Sequence, residues 1–181
     1  MFILASKSPR RAELLKMLIA DFVIIVPDID ENLLVSIPSD SAKIISKFKA
    51  YKIFANYPEA TVLSCDTIVV KDGELMGKPK DAADAARMLR KLSGKKHHVI
   101  SGFTLLSPKV EVNKNIVTEV TFNELSEETI SAYIKTGSPF DKAGAYGIQD
   151  ADFNLVKEIK GSYYNVMGLP VEALRDLFKK L

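Results

Sequence analysis

The chain has 181 residues, 47% of them hydrophobic, and sets 25 Lys plus Arg against 23 Asp plus Glu for a formal charge of +2. That length suits one domain with a sizeable core, which excludes intrinsic disorder, and the near-balance of charge excludes a general nucleic-acid binder with its usual basic excess. The single cysteine, Cys65, excludes an internal disulfide and a multi-cysteine zinc site.

At the N-terminus an apolar run precedes Lys7, Arg10 and Arg11, the reverse of a signal peptide. No apolar stretch reaches the ~18 residues of a membrane span. A soluble cytoplasmic protein with no membrane partner and no nucleic-acid partner is therefore expected.

Residues 2–5 read as a strand. Ser8 then has the chemistry of an N-cap with Pro9 at the first helical position, and Leu14, Leu15 and Leu18 supply the apolar face. A β-branched run over 22–26 predicts a second strand, followed by an acidic knot of Asp28, Asp30 and Glu31. Pro38-Ser39 opens a longer helix, with Ile44, Ile45, Phe48, Tyr51 and Ala55 as its apolar positions. Lys43, Lys47, Lys49 and Lys52 are interleaved and read as a mostly wet face.

The clearest strand spans 61–70, and Asp72-Gly73 marks a hairpin turn after it. Residues 77–81 form a loop, and Asp81 caps a helix carrying Ala82, Ala85, Met88, Leu89 and Leu92 that ends at Ser93-Gly94. Strands follow over 98–106 and 110–122. The adjacent His97 and His98 point to opposite faces of a strand and cannot jointly chelate a metal. Ser126 caps a helix to about Thr136, 138–149 is a glycine-rich loop, 153–159 is a strand, and Pro170 starts a last helix. Helices alternate irregularly with strands, some paired as hairpins, which predicts an α/β fold with a mixed sheet and flanking helices. The stretch from Gly94 to Gly102 is the candidate divide between two lobes.

Four places break local rules, and such misfits point to function. In Ser6-Lys7-Ser8-Pro9-Arg10-Arg11 a helix start, which prefers acids, holds two arginines. Serine hydroxyls, free N–H groups and guanidinium forks together suit a phosphate, although solvated arginines would look the same. Asp66 lies inside an apolar strand, where a carboxylate must be paired, hydrogen-bonded or on a metal; an outward-facing edge position is the alternative. Lys78, after Gly77, and Lys142, before Ala143-Gly144, sit beside turns that admit close approach of a ligand, but each taken singly reads as a solvated loop lysine. The loop Ala143-Gly144-Ala145-Tyr146-Gly147-Ile148-Gln149 is small and tipped by an amide that can pair with a base edge, or it is a tight turn with a surface Gln. No Walker loop, Gly-x-Ser-x-Gly elbow or His-based nucleophile is present. The acids Glu31 and Asp66 with dispersed cations (Arg10, Arg11, Lys49 or Lys52, Lys78) suit metal-assisted attack of water on a phosphoanhydride.

Over almost its whole length the sequence resembles the Maf proteins, nucleoside triphosphate pyrophosphatases first described through septum formation. The likeness is carried by Ala5-Ser6-Lys7-Ser8-Pro9-Arg10-Arg11 with Glu13-Leu14-Leu15, by Asp30-Glu31, Lys49-Ala50, Asp66-Thr67-Ile68-Val69 and Gly77-Lys78-Pro79, by Met88-Leu89 with Leu92-Ser93-Gly94, by Asp141 through Gln149, and by Gly161-Ser162-Tyr163 with Gly168-Leu169-Pro170. The resemblance implies two lobes around a central cleft, similar to the inosine-triphosphate pyrophosphatases (Maf/Ham1 folds), in a single Maf-like domain over 1–181. It implies hydrolysis of a nucleoside triphosphate to the monophosphate and pyrophosphate with a divalent cation, Mg²⁺ or Mn²⁺. Asp66 is then the general base, Glu31, Lys49 and Lys78 line the catalytic site, Asp66 and Glu31 hold the metal, and Ser8, Arg10, Arg11, Thr67 and Gln149 bind the substrate.

The runs Ala145 to Gln149 and Gly161-Ser162-Tyr163 resemble the branch acting on dTTP and UTP rather than 7-methyl-GTP, with CTP and modified pyrimidine nucleotides as further candidates. A homodimer is compatible with the family. The alternatives are the same chemistry on a modified or purine nucleotide and a non-catalytic nucleotide-binding regulator of cell division. The sequence departs from the family pattern in two places. Asp150-Ala151-Asp152 stands where glycines are common, and Ser138 precedes Pro139 where an acid is frequent. Both bear on substrate range and rate more than on reaction type.

Overall fold

The computed structural model describes residues 1–29 and 38–180. Among them run strands β1 (Phe2–Ala5), β2 (Val23–Ile24), β3 (Thr61–Lys71), β4 (Glu74–Met76), β5 (Lys96–Leu106), β6 (Glu111–Phe122) and β7 (Val156–Lys160). The helices are α1 (Pro9–Leu15), α2 (Pro38–Phe54), α3 (Ala82–Leu92), α4 (Glu127–Lys135), α5 (Tyr163–Met167) and α6 (Val171–Phe178). The strand order is β2-β1-β3-β5-β6-β7, with β4 on β3. β1 is parallel to both neighbours, each reached through a helix, whereas β3/β4 and β6/β7 are antiparallel. The expected mixed α/β sheet is therefore present. No helix among the described residues is long and apolar enough to cross a membrane.

The chain divides into two compact units, Met1–Thr67 with Ile100–Ile116 and Tyr164–Leu181, and Ile68–Val99 with Val117–Tyr163. One crossing does fall between Gly94 and Gly102, but inside β5 rather than at a turn.

In the first unit alternation along β1 and β3 sorts side chains to two cores. Leu4, Leu63 and Cys65 join Phe103 and Leu105 of β5, Leu14 and Leu15 of α1, and Val171 and Leu174 of α6. Ile3, Ala5 and Val62 face the other way, against Ala50 and Ile53 of α2. α2 approaches β5 closely. A Cβ on Gly102 would lie 2.2 Å from the backbone of Ala42 and Lys43, so only glycine fits there.

In the second unit α3 buries Ala85, Met88, Leu89 and Leu92 and packs on α4, which buries Ile130 and Tyr133. Asp72 and Gly73 both adopt positive φ, as the two-residue hairpin between β3 and β4 demands. Asp81 and Ser126 cap α3 and α4 as their sequences predict. His97 is buried and His98 exposed, on opposite faces of β5. His97 packs edge-on against Phe122 and Tyr146, and its Nε2 lies 2.7 Å from the Tyr146 hydroxyl.

Several expectations shift. β2 is two residues long instead of five, β7 begins at Val156, and α1 stops at Leu15, before Leu18. The short α5 has no counterpart in the sequence reading. The apolar face assigned to α2 is also rotated. Phe48 and Tyr51 are exposed, while Ser41, Ala42, Ile45, Ser46, Lys49, Ala50 and Ile53 are buried. The cause is polar pairing across the unit. The Ser46 hydroxyl meets Thr104 Oγ1 at 2.9 Å, Ser64 Oγ donates to the Ser46 carbonyl, and Lys49 is drawn in by Asp66.

Candidate active site

β3 positions the first group. Ser64 and Asp66 are two residues apart and share the face turned to α2, where Ser46 and Lys49 are one turn apart. A two-residue step along a strand is about 6.6 Å and a three-residue step along a helix about 4.5 Å, so both pairs can form side by side. Lys49 Nζ donates to Asp66 Oδ1 at 2.8 Å, with the two side chains only 9% and 12% exposed. Asp66 is thus neither an edge residue nor a solvated one, and Lys49 is not part of a wet helix face. A buried carboxylate needs such a partner.

Thr67, the next residue, turns to the opposite face. It meets Arg11, Ser101 and the Gly168 carbonyl. Arg11 is held at three points. Its Nε donates to Gly168 O at 2.9 Å, Nη1 to Ser6 Oγ at 3.3 Å, and Nη2 to Thr67 Oγ1 at 3.2 Å. Three of the five donors of the guanidinium are used within the protein. Arg11 is therefore a brace for this network as well as a cation. Ser8 caps α1, its Oγ accepting from Arg11 N at 3.4 Å, and its own N–H donates to Ser6 Oγ at 3.2 Å. Arg10 is half-buried in the first turn. Next to this group the Cys65 thiol donates to Gly168 O at 3.3 Å, and burial pushes its pKa up to about 11. Such a thiol is inert rather than nucleophilic.

The chain matches the Maf-like protein family over residues 1–181. It belongs to the Maf family. Among similar proteins is the dTTP/UTP pyrophosphatase of Thermosipho africanus, 47% identical over 175 residues, spanning 97% of this chain and 90% of that protein. Those of Bacillus cytotoxicus and Aquifex aeolicus are 46% and 40% identical, over 96% and 99% of this chain and 91% and 94% of theirs. The Ham1 protein of Staphylococcus aureus has a similar fold, with a TM-score of 0.55 at 13% identity, covering 99% of this chain and 98% of that one.

In this Maf chain the first unit brings Lys49 to Asp66, and Ser8, Arg11 and Thr67 into one network. Glu31 lies outside the described residues, as does Asp30. Lys78 and Gln149 belong to the second unit, where both are exposed. The loop bearing Gln149 is tied down from behind. Asp150 Oδ2 accepts from the Tyr133 hydroxyl at 2.5 Å and from Ser138 Oγ at 2.6 Å, and the Tyr133 oxygen accepts from Gly147 N at 2.9 Å. Burial, then the bond to Asp150, raises the Tyr133 pKa.

Lys142 is likewise no solvated lysine. It donates to the carbonyl and hydroxyl of Ser138 at 2.7 and 3.0 Å and pairs with Asp141 at 2.7 Å. The two departures from the family pattern, Ser138 and Asp150, thus bond to each other. Sequence reasoning missed Ser6 as a partner of Arg11, and missed Ser101 and Tyr133 altogether. Their partners lie 34 residues away for Ser101 and 17 for Tyr133, beyond any local pattern.

Proposed function

We propose that this Maf protein hydrolyses dTTP and UTP to the monophosphate and pyrophosphate. The observation that carries the reading is the buried Lys49–Asp66 pair at 2.8 Å, in a chain 47% identical to the dTTP/UTP pyrophosphatase of Thermosipho africanus. Mere binding of a triphosphate has no need of a base, whereas its hydrolysis has one.

In this reading Asp66 accepts the proton of a water that attacks the α-phosphorus, and the bond to the β-phosphate oxygen breaks. Lys49 holds Oδ1 and fixes the orientation of the carboxylate. Arg10 and Lys78 oppose the charge of the triphosphate and of the departing pyrophosphate, and the two remaining donors of Arg11 add to them. Ser8 offers its hydroxyl proton, since its oxygen already caps α1. Thr67 and Gln149 face the base.

Asp66 is a hard oxygen donor, which fits Mg²⁺ or Mn²⁺. Mg²⁺ is commonly held by one or two carboxylates together with substrate phosphates. Asp66, with Glu31, would hold such an ion, which when bound would neutralise phosphate charge and lower the pKa of a water.

The test is incubation with dTTP, UTP, CTP, 7-methyl-GTP, ITP and ATP, with and without Mg²⁺ or Mn²⁺, measuring pyrophosphate and orthophosphate separately. Metal-dependent pyrophosphate, fastest from dTTP or UTP, is expected. Orthophosphate would place the attack at the terminal phosphate and overturn the mechanism. Nucleotide binding without release of either product would favour a regulator.

A further inference from the structure

Thr67 Oγ1 and Ser101 Oγ lie 2.8 Å apart in the first unit, and their other partners favour one placement of the protons. Each hydroxyl has one proton and two lone pairs. Ser101 is fully buried on β5, and its Oγ donates to the Asn165 carbonyl at 3.0 Å. With that proton used, Ser101 can only accept from Thr67. The other arrangement, with Ser101 donating to Thr67, sends the Thr67 proton to Gly168 O at the longer distance of 3.4 Å. That arrangement gives up the 3.0 Å bond of Ser101 to Asn165 and adds a third donor to Gly168 O, which already accepts from Arg11 Nε and Cys65 Sγ; in the first arrangement the Thr67 proton stays within the protein. Arg11 Nη2 takes one lone pair of Thr67 at 3.2 Å, and Arg11 is itself anchored on Ser6 and Gly168. In the arrangement with the shorter bonds one lone pair is left. Thr67 is half-buried, so the residue is not sealed off from a ligand.

We infer that Ser101 is a positioning residue for base specificity. It makes the Thr67 hydroxyl an acceptor that has no proton to offer, so the base must present an N–H at that point. Uracil and thymine do so with N3–H. In the same register cytosine presents the bare N3, a second acceptor, and is disfavoured. The inference rests on the reading that Thr67 faces the base, and it adds the polarity of that contact and the residue that sets it. A site built to bond one hydrogen-bonding group discriminates strongly against an analogue that leaves its polar groups unmatched.

The experiment compares kcat/KM for UTP and CTP in the parent, Ser101→Ala, Thr67→Val and Thr67→Ser, with thermal melting to confirm folding. The parent is expected to favour UTP by at least ~tenfold. Ser101→Ala and Thr67→Val should shrink that ratio at least ~fivefold, while Thr67→Ser, which keeps the hydroxyl, should hold it within about twofold. The two bases also differ at position 4, but Ser101→Ala leaves Gln149 untouched, so its effect on the ratio reports on Thr67. A parent ratio below ~threefold, or a ratio unchanged in Ser101→Ala whatever Thr67→Val does, overturns the inference. If no pyrophosphate is released from either nucleotide, the proposed reaction fails, and the same ratios are read as Kd for UTP and CTP by calorimetry. Equal affinities, or no binding of either, then overturn the inference too.

Discussion

Lys49 Nζ and Asp66 Oδ1 stand 2.8 Å apart with their side chains about nine-tenths buried, so the Asp66 carboxylate has a counter-charge within hydrogen-bond distance. Removing one partner of such a pair typically costs about 3–5 kcal/mol, whereas replacing both by apolar groups is often neutral. Lys49→Met is therefore expected to lower stability by about 3 kcal/mol. The double variant Lys49→Met/Asp66→Leu should recover most of that loss, as read from urea unfolding of the four proteins of the cycle. Catalysis should respond differently. Asp66→Asn, folded by circular dichroism, is expected to lose ~10²–10⁴-fold in pyrophosphate release, and the double variant should regain stability without regaining activity. Near-parental turnover by Asp66→Asn would remove Asp66 from the role of base.

Gly102 is where α2 meets β5. Its absent Cβ leaves room for the Ala42 carbonyl carbon and the Lys43 nitrogen, each of which would otherwise be 2.2 Å away. Both obstacles are backbone, so no side-chain rotation relieves the clash. Gly102→Ala is expected to destabilise by about 3 kcal/mol or more, at the upper end of overpacking effects. Because α2 carries Lys49, the variant should also lower kcat. A shift of the urea midpoint equivalent to less than about 1 kcal/mol would mean that α2 can move away from the sheet without penalty.

These two sites show what local pattern can and cannot reveal. Ser8, Asp81, Ser126 and Asp72-Gly73 were legible because a cap or a tight turn is decided within four residues. Asp66 was legible as a misfit, a carboxylate among Val62, Leu63, Ile68 and Val69. Its partner was not. Lys49 reads as one lysine among several, and α2 hides its buried face because Phe48 and Tyr51 point outward while Ser41, Ser46 and Lys49 point inward. Polar residues are buried there by partners on β3 and β5, and no helical period encodes those. Arg11 was found as a cation, but its hold on Gly168, 157 residues away, is a property of the fold.

Asp150 Oδ2 collects the hydroxyls of Tyr133 and Ser138, and Tyr133 in turn receives the buried Gly147 N–H. Tyr133→Phe deletes the shared oxygen and leaves Gly147 N and Asp150 each short of a partner. The expected loss of stability is about 1–3 kcal/mol, the penalty for a buried polar group left unbonded. Gln149 lies between Gly147 and Asp150, so the variant should loosen the residue proposed to read the base. KM for UTP should then rise several-fold while kcat changes little, the signature of lost binding without lost chemistry. A drop in kcat at unchanged KM would instead tie this network to the reaction step.

His97 makes the second unit sensitive to acid. Burial is the main cause that lowers its pKa from 6.5 to about 3, with the neighbouring positive charges of His98 and Lys71 adding to it. Its Nδ1 is buried with no hydrogen-bond partner among the described residues, and its ring is packed edge-on against Phe122 and Tyr146. The folded protein therefore holds His97 neutral, while the unfolded chain protonates it below about pH 6.5. Between these two values the unfolded state binds the extra proton, so stability is complete above about pH 6.5 and declines as the pH falls toward 3. The loss from this one residue should reach about 2 kcal/mol by pH 5. His97→Phe keeps an aromatic ring in the cluster and cannot take up a proton. Urea unfolding at pH 7.5 and pH 5.0 should show the parent losing about 2 kcal/mol more than the variant between the two conditions. Equal losses would mean that the ring reaches solvent and protonates in the folded state, and that the packing of Phe122 and Tyr146 over it opens readily.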